Sequence, residues 1–128
     1  MAYHTAVKSA TQEWVRYAET DLEAAAVALD HDLLRISLFH CHEAVEKVLK
    51  AIWVEWRDKE PERTHNLPYL ASELAIELSD AQREFLRRLY WELIPSRYPE
   101  GTEPDRPTVQ WYYEQTRGLF SWLRQILK

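Results

Sequence analysis

Residues 40–51, HCHEAVEKVLKA, form the centre of the segment that decides the fold. Apolar side chains recur through and around this stretch at steps of three and four, namely Leu38, Cys41, Val45, Leu49, Ile52 and Trp56. This spacing predicts a helix with one face turned towards a core. Glu43, Lys47 and Lys50 recur at the same steps on another face. The helix therefore also carries an ordered, mixed-charge side, which is the first candidate for a functional surface.

The composition is typical of one all-helical domain. A chain of 128 residues fits a single domain, and a hydrophobic content of 46% is enough to build a core. Only two glycines are present, among abundant alanine, leucine, glutamate and arginine. We expect residues 1–128 to form a single all-α domain, an up-and-down bundle of four to five helices.

Apolar periodicity and capping residues predict where the helices begin and end. The five predicted helices span about 9–29, 33–57, 66–78, 79–94 and 108–127. Capping boxes are predicted at Ser9 with Gln12 and at Ser79 with Gln82, and N-caps at Asp32 and Asn66. Residues 95–107 contain four prolines, which predicts a long loop.

Several classes of protein are disfavoured by charge and composition. With a net charge of −5, the protein surface as a whole is not basic, so it does not indicate nucleic-acid binding. The lone cysteine, Cys41, lies on the apolar face, which predicts a buried, inert thiol rather than a disulfide or a multi-cysteine zinc site. The chain contains no run of about 18 apolar residues, and residues 1–5 do not resemble a signal peptide. We therefore expect a soluble, cytoplasmic protein without membrane association.

The charges of the second helix allow two interpretations. Glu43 with Lys47 and Glu46 with Lys50 are four residues apart, in the favourable orientation for helical ion pairs. The commoner outcome of such a pattern is a solvated face that adds a few tenths of a kcal/mol per pair. The alternative is a polar groove between helices whose lysines bind phosphate or nucleotide.

A metal site is not predicted on this helix. His42 and Glu46 share a face, but metal sites in helical bundles take matching carboxylates from facing helices. The first helix offers acidic residues without a repeated Glu-x-x-His motif. A glycine-rich phosphate loop is also missing from the sequence. We therefore expect neither a metal nor a cofactor.

Three further positions carry possible chemistry. Arg35 and His40 are separated by four residues, a spacing found in some helical ribonucleases but common by chance. His65 stands where the third helix begins, so it either orients the turn or contacts an anion there. Arg97 lies in the proline-rich loop, where it either binds a carboxylate or phosphate or pairs with an acid of the bundle.

Four blocks in a fixed order carry a family resemblance. They are residues 21–25 (DLEAA), 40–51, 63–67 (RTHNL) and 96–99 (SRYP). In this order they resemble the prokaryotic HEPN domain (higher eukaryotes and prokaryotes nucleotide-binding) over about residues 14–127. The resemblance implies a helical bundle that commonly forms homodimers. It also implies a minimal nucleotidyltransferase partner, often in a toxin–antitoxin system, or metal-independent ribonuclease activity.

The chain departs from the ribonuclease members of that family. Those members place a histidine four to six intervening residues after an arginine, whereas the corresponding positions after Arg97 are Thr102, Glu103 and Pro104. Two smaller departures are Glu43, where glutamine is common, and Asn66, where aspartate is common. The resemblance is thus to the branch with an Arg-Tyr-Pro loop, in which nucleotide binding is expected.

Transferring the family's positions gives a predicted ligand site of Glu46, Lys47, Lys50, His65, Arg97 and Tyr98. Two lysines and an arginine suit phosphates, while His65 and Tyr98 offer hydrogen bonds or a stacking face. The leading hypothesis is therefore a non-catalytic, dimeric binding module for a nucleotide or other anion, paired with a nucleotidyltransferase. A metal-independent ribonuclease toxin using Arg35 and His40, with RNA as its substrate, is the alternative. A purely structural subunit is the third.

Overall fold

The computed structural model describes residues 7–93 and 103–128. These residues form five helices: α1 (Ser9–Asp30), α2 (Leu34–Arg57), α3 (Leu67–Glu73), α4 (Asp80–Trp91) and α5 (Arg106–Ile126). The long helices α1 and α2 form an antiparallel hairpin, and α2 packs against each of the other four. The all-α prediction is confirmed, with α2 at the centre.

The apolar stripe of α2 builds the core. Leu38, Cys41, Val45, Leu49 and Ile52 are all buried. Trp56, which the spacing assigns to the same stripe, is 49% exposed, so that assignment is wrong. The helix ends at the next residue, and Asp58 follows with a left-handed φ of 53°. Trp56 therefore lies at the rim of the bundle, beyond the packed layers.

The first two predicted caps do not form. Lys8 is the N-cap of α1 without a side-chain hydrogen bond, and the Gln12 amide donates instead to the Val7 carbonyl. Asp32 has a left-handed φ of 58° and precedes the N-cap residue of α2. Its carboxylate accepts a hydrogen bond from Nη1 of Arg106 at 2.5 Å. Arg106 also donates a hydrogen bond to the Leu29 carbonyl. Acceptor groups of the α1–α2 turn are therefore bonded by a residue of α5, which is distant in sequence.

The caps of the two shorter helices form as predicted. The Asn66 side chain accepts from the Tyr69 amide at 3.0 Å, and Ser79 and Gln82 form a reciprocal capping box. However, α3 ends at Glu73 rather than near residue 78. The physical reason is the alternation of residues 74–78, in which Leu74, Ile76 and Leu78 are buried and the residues between them are exposed. This period of two fits a non-helical segment laid across the core.

The remaining boundaries are close to the predictions. α4 ends at Trp91, and residue 94, its predicted end, lies outside the described residues. α5 begins at Arg106, two residues earlier than predicted, because Asp105 caps it and Pro107 fits its first turn. No helix in residues 7–93 or 103–128 is long and apolar enough to cross a membrane.

Candidate functional site

A buried carboxylate of α1 joins the two helices of the hairpin. Asp21 Oδ1 accepts from Nδ1 of His40 at 2.8 Å, and Oδ2 accepts from Nζ of Lys47 at 2.5 Å. Lys47 Nζ also lies 3.7 Å from Oε2 of Glu43. Burial lowers the pKa of Lys47, but the hydrogen bond and attraction to Asp21 outweigh this effect, so the pKa is raised overall. Lys47 is therefore held as a cation between two acids.

The second ion pair of α2 is buried. Lys50 Nζ donates to Oε2 of Glu46 at 2.9 Å, and His65 Nδ1 lies 2.9 Å from Oε1 of the same carboxylate. Glu46 is 4% and Lys50 7% exposed, and the Lys50 ammonium lies 5.9 Å from the centre of the Trp14 ring. The commoner interpretation of this spacing, a solvated face, is wrong here. The predicted ion pairs themselves are present.

His42 lies at the inner end of these charges and is 0% exposed. Its Nε2 lies 2.9 Å from the carbonyl oxygen of His65, which can only accept, so Nε2 carries the proton. Its Nδ1 is buried without a hydrogen-bond partner among the described residues. That atom faces Oε1 of Glu43 at 3.8 Å and Oε1 of Glu46 at 3.7 Å. The pKa of Glu43 is lowered, first by a hydrogen bond that requires a proton on Nδ1 of His42 and then by the attraction to Lys47.

We call this set the α2 polar cluster: Asp21, His40, His42, Glu43, Glu46, Lys47, Lys50 and His65. Four of the six predicted ligand-site residues belong to it, namely Glu46, Lys47, Lys50 and His65. Arg97 and Tyr98 lie outside the described residues. The two lysines are both paired with carboxylates, so a phosphate at this place would compete with existing ion pairs.

The alternative pair, Arg35 and His40, is not brought together within the chain. Both residues lie in the uninterrupted helix α2, where five positions correspond to about 140° of rotation. Arg35 is exposed, and its Nε lies 3.7 Å from Oε1 of Glu103. His40 instead points towards α1, where Asp21 orients its ring.

Sequence reasoning placed none of Asp21, Trp14 and His42 in the ligand site, although it considered His42 with Glu46 as a metal pair. Asp21 could have been found, because it occupies a position between Ala18 and Ala25 on the buried face of α1. A carboxylate on an apolar stripe signals a buried partner of opposite charge. His42 gave no such signal, since its environment is formed by the backbone of residue 65, which is distant in sequence.

A cleft of about 500 Å³ lies beside the cluster, between the start of α1 and the α2–α3 loop. Its walls include the Trp14 ring, the Lys50 stem and residues 58–63. The left-handed conformation of Asp58 ends α2 and turns the loop back along this cleft. Lys59 and Arg63 are exposed, and neither forms an ion pair within the described ranges. The cleft thus combines an aromatic face with two cations that are unpaired among the described residues, and with the acids Asp58, Glu60 and Glu62.

Comparisons with known proteins identify the family. The family model of the HEPN domain matches residues 11–126. Among solved structures, an archaeal HEPN homologue superposes with a TM-score of 0.74 at 21% identity, covering 92% of this chain and 98% of that one. At this identity the structural match shows a common fold. No curated protein is significantly similar in sequence. Because the family match spans nearly the whole chain, this protein belongs to the HEPN domain family.

Proposed function

We propose that this HEPN domain is a non-catalytic binding module that holds a nucleotide or a similar anion and pairs with a minimal nucleotidyltransferase. The observation that carries the ligand part is the cleft beside Trp14. Its volume of about 500 Å³ is within the range of small-molecule sites. A base can stack on the indole ring, while Lys59 and Arg63 are free to contact phosphates.

The ion pairs of the α2 polar cluster decide between the two possible positions for the ligand. Lys47 lies between two carboxylates and Lys50 is buried against Glu46, so using either for phosphate would leave an acid without its cation. Lys59 and Arg63 form no ion pair within the described residues, and the acids Asp58, Glu60 and Glu62 line the same cleft. We therefore assign phosphate contacts to the loop cations. In this arrangement Lys50 orients Trp14, and Glu46 and His65 fix the wall behind it.

Nucleotide binding is tested by isothermal titration of AMP, ADP and ATP into the purified chain. Lys59→Ala and Arg63→Ala are each expected to weaken binding about tenfold or more, since a hydrogen bond to a charged group contributes about 1.5–3 kcal/mol. Arg117→Ala is the matched control, because Arg117 is an exposed cation of α5 that does not line the cleft. Binding that is the same in all three variants, or the lack of any binding, would rule out this site.

The surface of α2 supports the partner part of the proposal. Leu33, Ile36 and Phe39 follow each other at steps of three on one side of the helix, and each is about half-exposed. An apolar stripe of this kind on a small soluble domain is typical of an interaction surface. We assign it to protein association, either between two copies of this chain or with the nucleotidyltransferase.

Co-expression with a minimal nucleotidyltransferase from the same genome, followed by light scattering on a sizing column, tests the association. We expect a homodimer of this chain and a stable complex with the enzyme, and Ile36→Glu should disrupt at least one of them. Trp56→Glu is the control, since Trp56 is equally exposed but lies about 30 Å further along α2. A chain that is monomeric and forms no complex with the nucleotidyltransferase would refute the partner part of the proposal.

One observation favours the ribonuclease alternative. The Asp21–His40 pair resembles the carboxylate-oriented histidine of general acid–base sites, and Nε2 of His40 has no hydrogen-bond partner among the described residues. Arg35 diverges from it, so a second copy would have to supply the arginine. A metal-free RNA cleavage assay, with His40→Ala and Asp21→Asn as controls, tests this function. Cleavage that both substitutions remove would replace the non-catalytic proposal.

A further inference from the structure

Three acceptor atoms meet inside the α2 polar cluster. His42, Glu43 and Glu46 each offer one ligand atom within 4.8 Å of the others, and Nδ1 of His42 lies 3.8 and 3.7 Å from the Oε1 atoms of Glu43 and Glu46. Because Nε2 of His42 donates to the His65 carbonyl, the neutral ring presents a lone pair at Nδ1. A lone pair that faces two carboxylates at 3.7 and 3.8 Å is an unfavourable arrangement unless a positive group lies between them.

Because His42 is buried, contact with solvent does not explain the missing hydrogen-bond partner of its Nδ1. His42 is 0% exposed, and its Nδ1 has no hydrogen-bond partner in the part of the chain that the structure describes. A buried polar atom without a partner costs free energy, so one aimed at two acids points to an occupant that binds all three.

The orientation of the two glutamates supports the same conclusion. Each turns Oε2 towards a lysine, with Lys47 Nζ at 3.7 Å from Glu43 and Lys50 Nζ at 2.9 Å from Glu46. Each turns Oε1 towards His42. The lysines contact the Oε2 atoms, while Nδ1 of His65 lies 2.9 Å from Oε1 of Glu46. These contacts orient the carboxylates, as outer-shell groups commonly orient metal ligands.

The charge balance leaves room for a cation. Three acids, Asp21, Glu43 and Glu46, face two ammonium groups, Lys47 and Lys50, so the cluster lacks one positive charge when its histidines are neutral. The spacing also fits an ion, because ligands bound at about 2.1 Å can stand at most about 4.2 Å apart. The distances from Nδ1 to the two Oε1 atoms, 3.8 and 3.7 Å, fall below this limit.

We propose that His42, Glu43 and Glu46 bind a divalent cation, with His42 Nδ1 and one oxygen of each glutamate as ligands. One imidazole and two carboxylates suit Zn²⁺ or Mn²⁺ among common ions. The site lies on one turn of α2, with ligands at positions i, i+1 and i+4. The site therefore needs no carboxylates from a facing helix. For this reason the repeated Glu-x-x-His motif of metal sites in helical bundles does not predict it. This site is separate from the proposed nucleotide cleft and does not depend on it.

The test is titration of Zn²⁺ into chelator-treated, tag-free protein by calorimetry. We expect one ion per chain, and Glu43→Gln and Glu46→Gln should each weaken binding at least tenfold. Glu23→Gln is the control, since Glu23 is an exposed acid of α1 away from these ligands. If Glu46→Gln fails to fold, Glu43→Gln still decides the question, because the Glu43 side chain is partly exposed.

A proton on Nδ1 is the competing occupant, and nitrogen chemical shifts of the His42 ring distinguish it from a metal. We expect Nδ1 to be unprotonated in the presence of Zn²⁺ and to shift on binding. The absence of saturable Zn²⁺ binding would overturn the proposal. So would equal binding by Glu43→Gln, or a ring that keeps both protons when Zn²⁺ is added.

Discussion

The buried Glu46–Lys50 pair gives the sharpest stability prediction. Lys50→Met keeps the length of the side chain but removes the ammonium group that lies 2.9 Å from the Glu46 carboxylate. Removing one partner of a buried ion pair costs about 3–5 kcal/mol. Glu46 retains the contact from His65, so we expect the lower end, about 3 kcal/mol. With a slope of about 1.5 kcal/mol/M, the urea midpoint should fall by about 2 M.

Two companion variants separate burial from charge. Glu46→Leu with Lys50→Met removes both charges, so the double variant should be more stable than Lys50→Met alone. Arg87→Met breaks an exposed ion pair of α4 with Glu84 and should leave the midpoint unchanged. Urea unfolding followed by circular dichroism, with a chelator present, measures all three. A loss below about 1 kcal/mol for Lys50→Met would show that water screens the pair, as on an ordinary helix surface.

Three other properties follow from the same structure. Burial raises the pKa of Cys41 to about 11, so a thiol reagent at pH 8 should label the folded chain far more slowly than the urea-unfolded chain. Asn66→Ala removes the α3 cap and should cost about 1 kcal/mol in thermal unfolding, whereas Asn66→Asp should not. The pKa of Glu43 is lowered in the folded state, so its contribution to stability is present above its unfolded value near 4.3 and is lost as the pH falls. Glu43→Gln should therefore make the loss of stability below about pH 4.5 less steep in acid titrations monitored by circular dichroism, and an unchanged slope would contradict this assignment.

The sequence was a good guide where a local pattern decides the outcome. The stripe of α2 and the caps at Asn66 and Ser79 depend on residues within one or two turns, and the structure confirms them except for Trp56 at the end of the stripe. The early end of α3 was missed because residues 74–78 switch from helical spacing to alternation within one turn. The failed cap at Asp32 depends on Arg106, which is 74 positions away. Such a contact cannot be recognised from the neighbouring residues in the sequence.

The same difference between local patterns and distant contacts explains how much of the candidate site could be predicted. The spacing of Glu43, Glu46, Lys47 and Lys50 predicted their ion pairs, because both members lie on one helix. It could not predict the burial of Glu46 and Lys50, which comes from packing α1 and the α2–α3 loop over them. Burial changes the meaning of the pattern: an exposed lysine is available to a phosphate, whereas one fixed to a buried acid is not. The cations of the cleft that form no ion pair among the described residues lie instead in the loop, at Lys59 and Arg63.

The position of His42 links the fold to both proposals. Its Nε2 bond to the His65 carbonyl fixes the start of the segment leading into α3, which leaves its Nδ1 directed at the two glutamates. A cation at that point would tie α2 to this segment through Glu46 and His65. The segment continues back into the loop that carries Lys59 and Arg63. Metal binding should therefore stiffen one wall of the nucleotide cleft, and adding Zn²⁺ should tighten nucleotide binding in the wild-type chain but not in Glu43→Gln. Equal nucleotide affinity with and without bound Zn²⁺ would show that the two sites are independent.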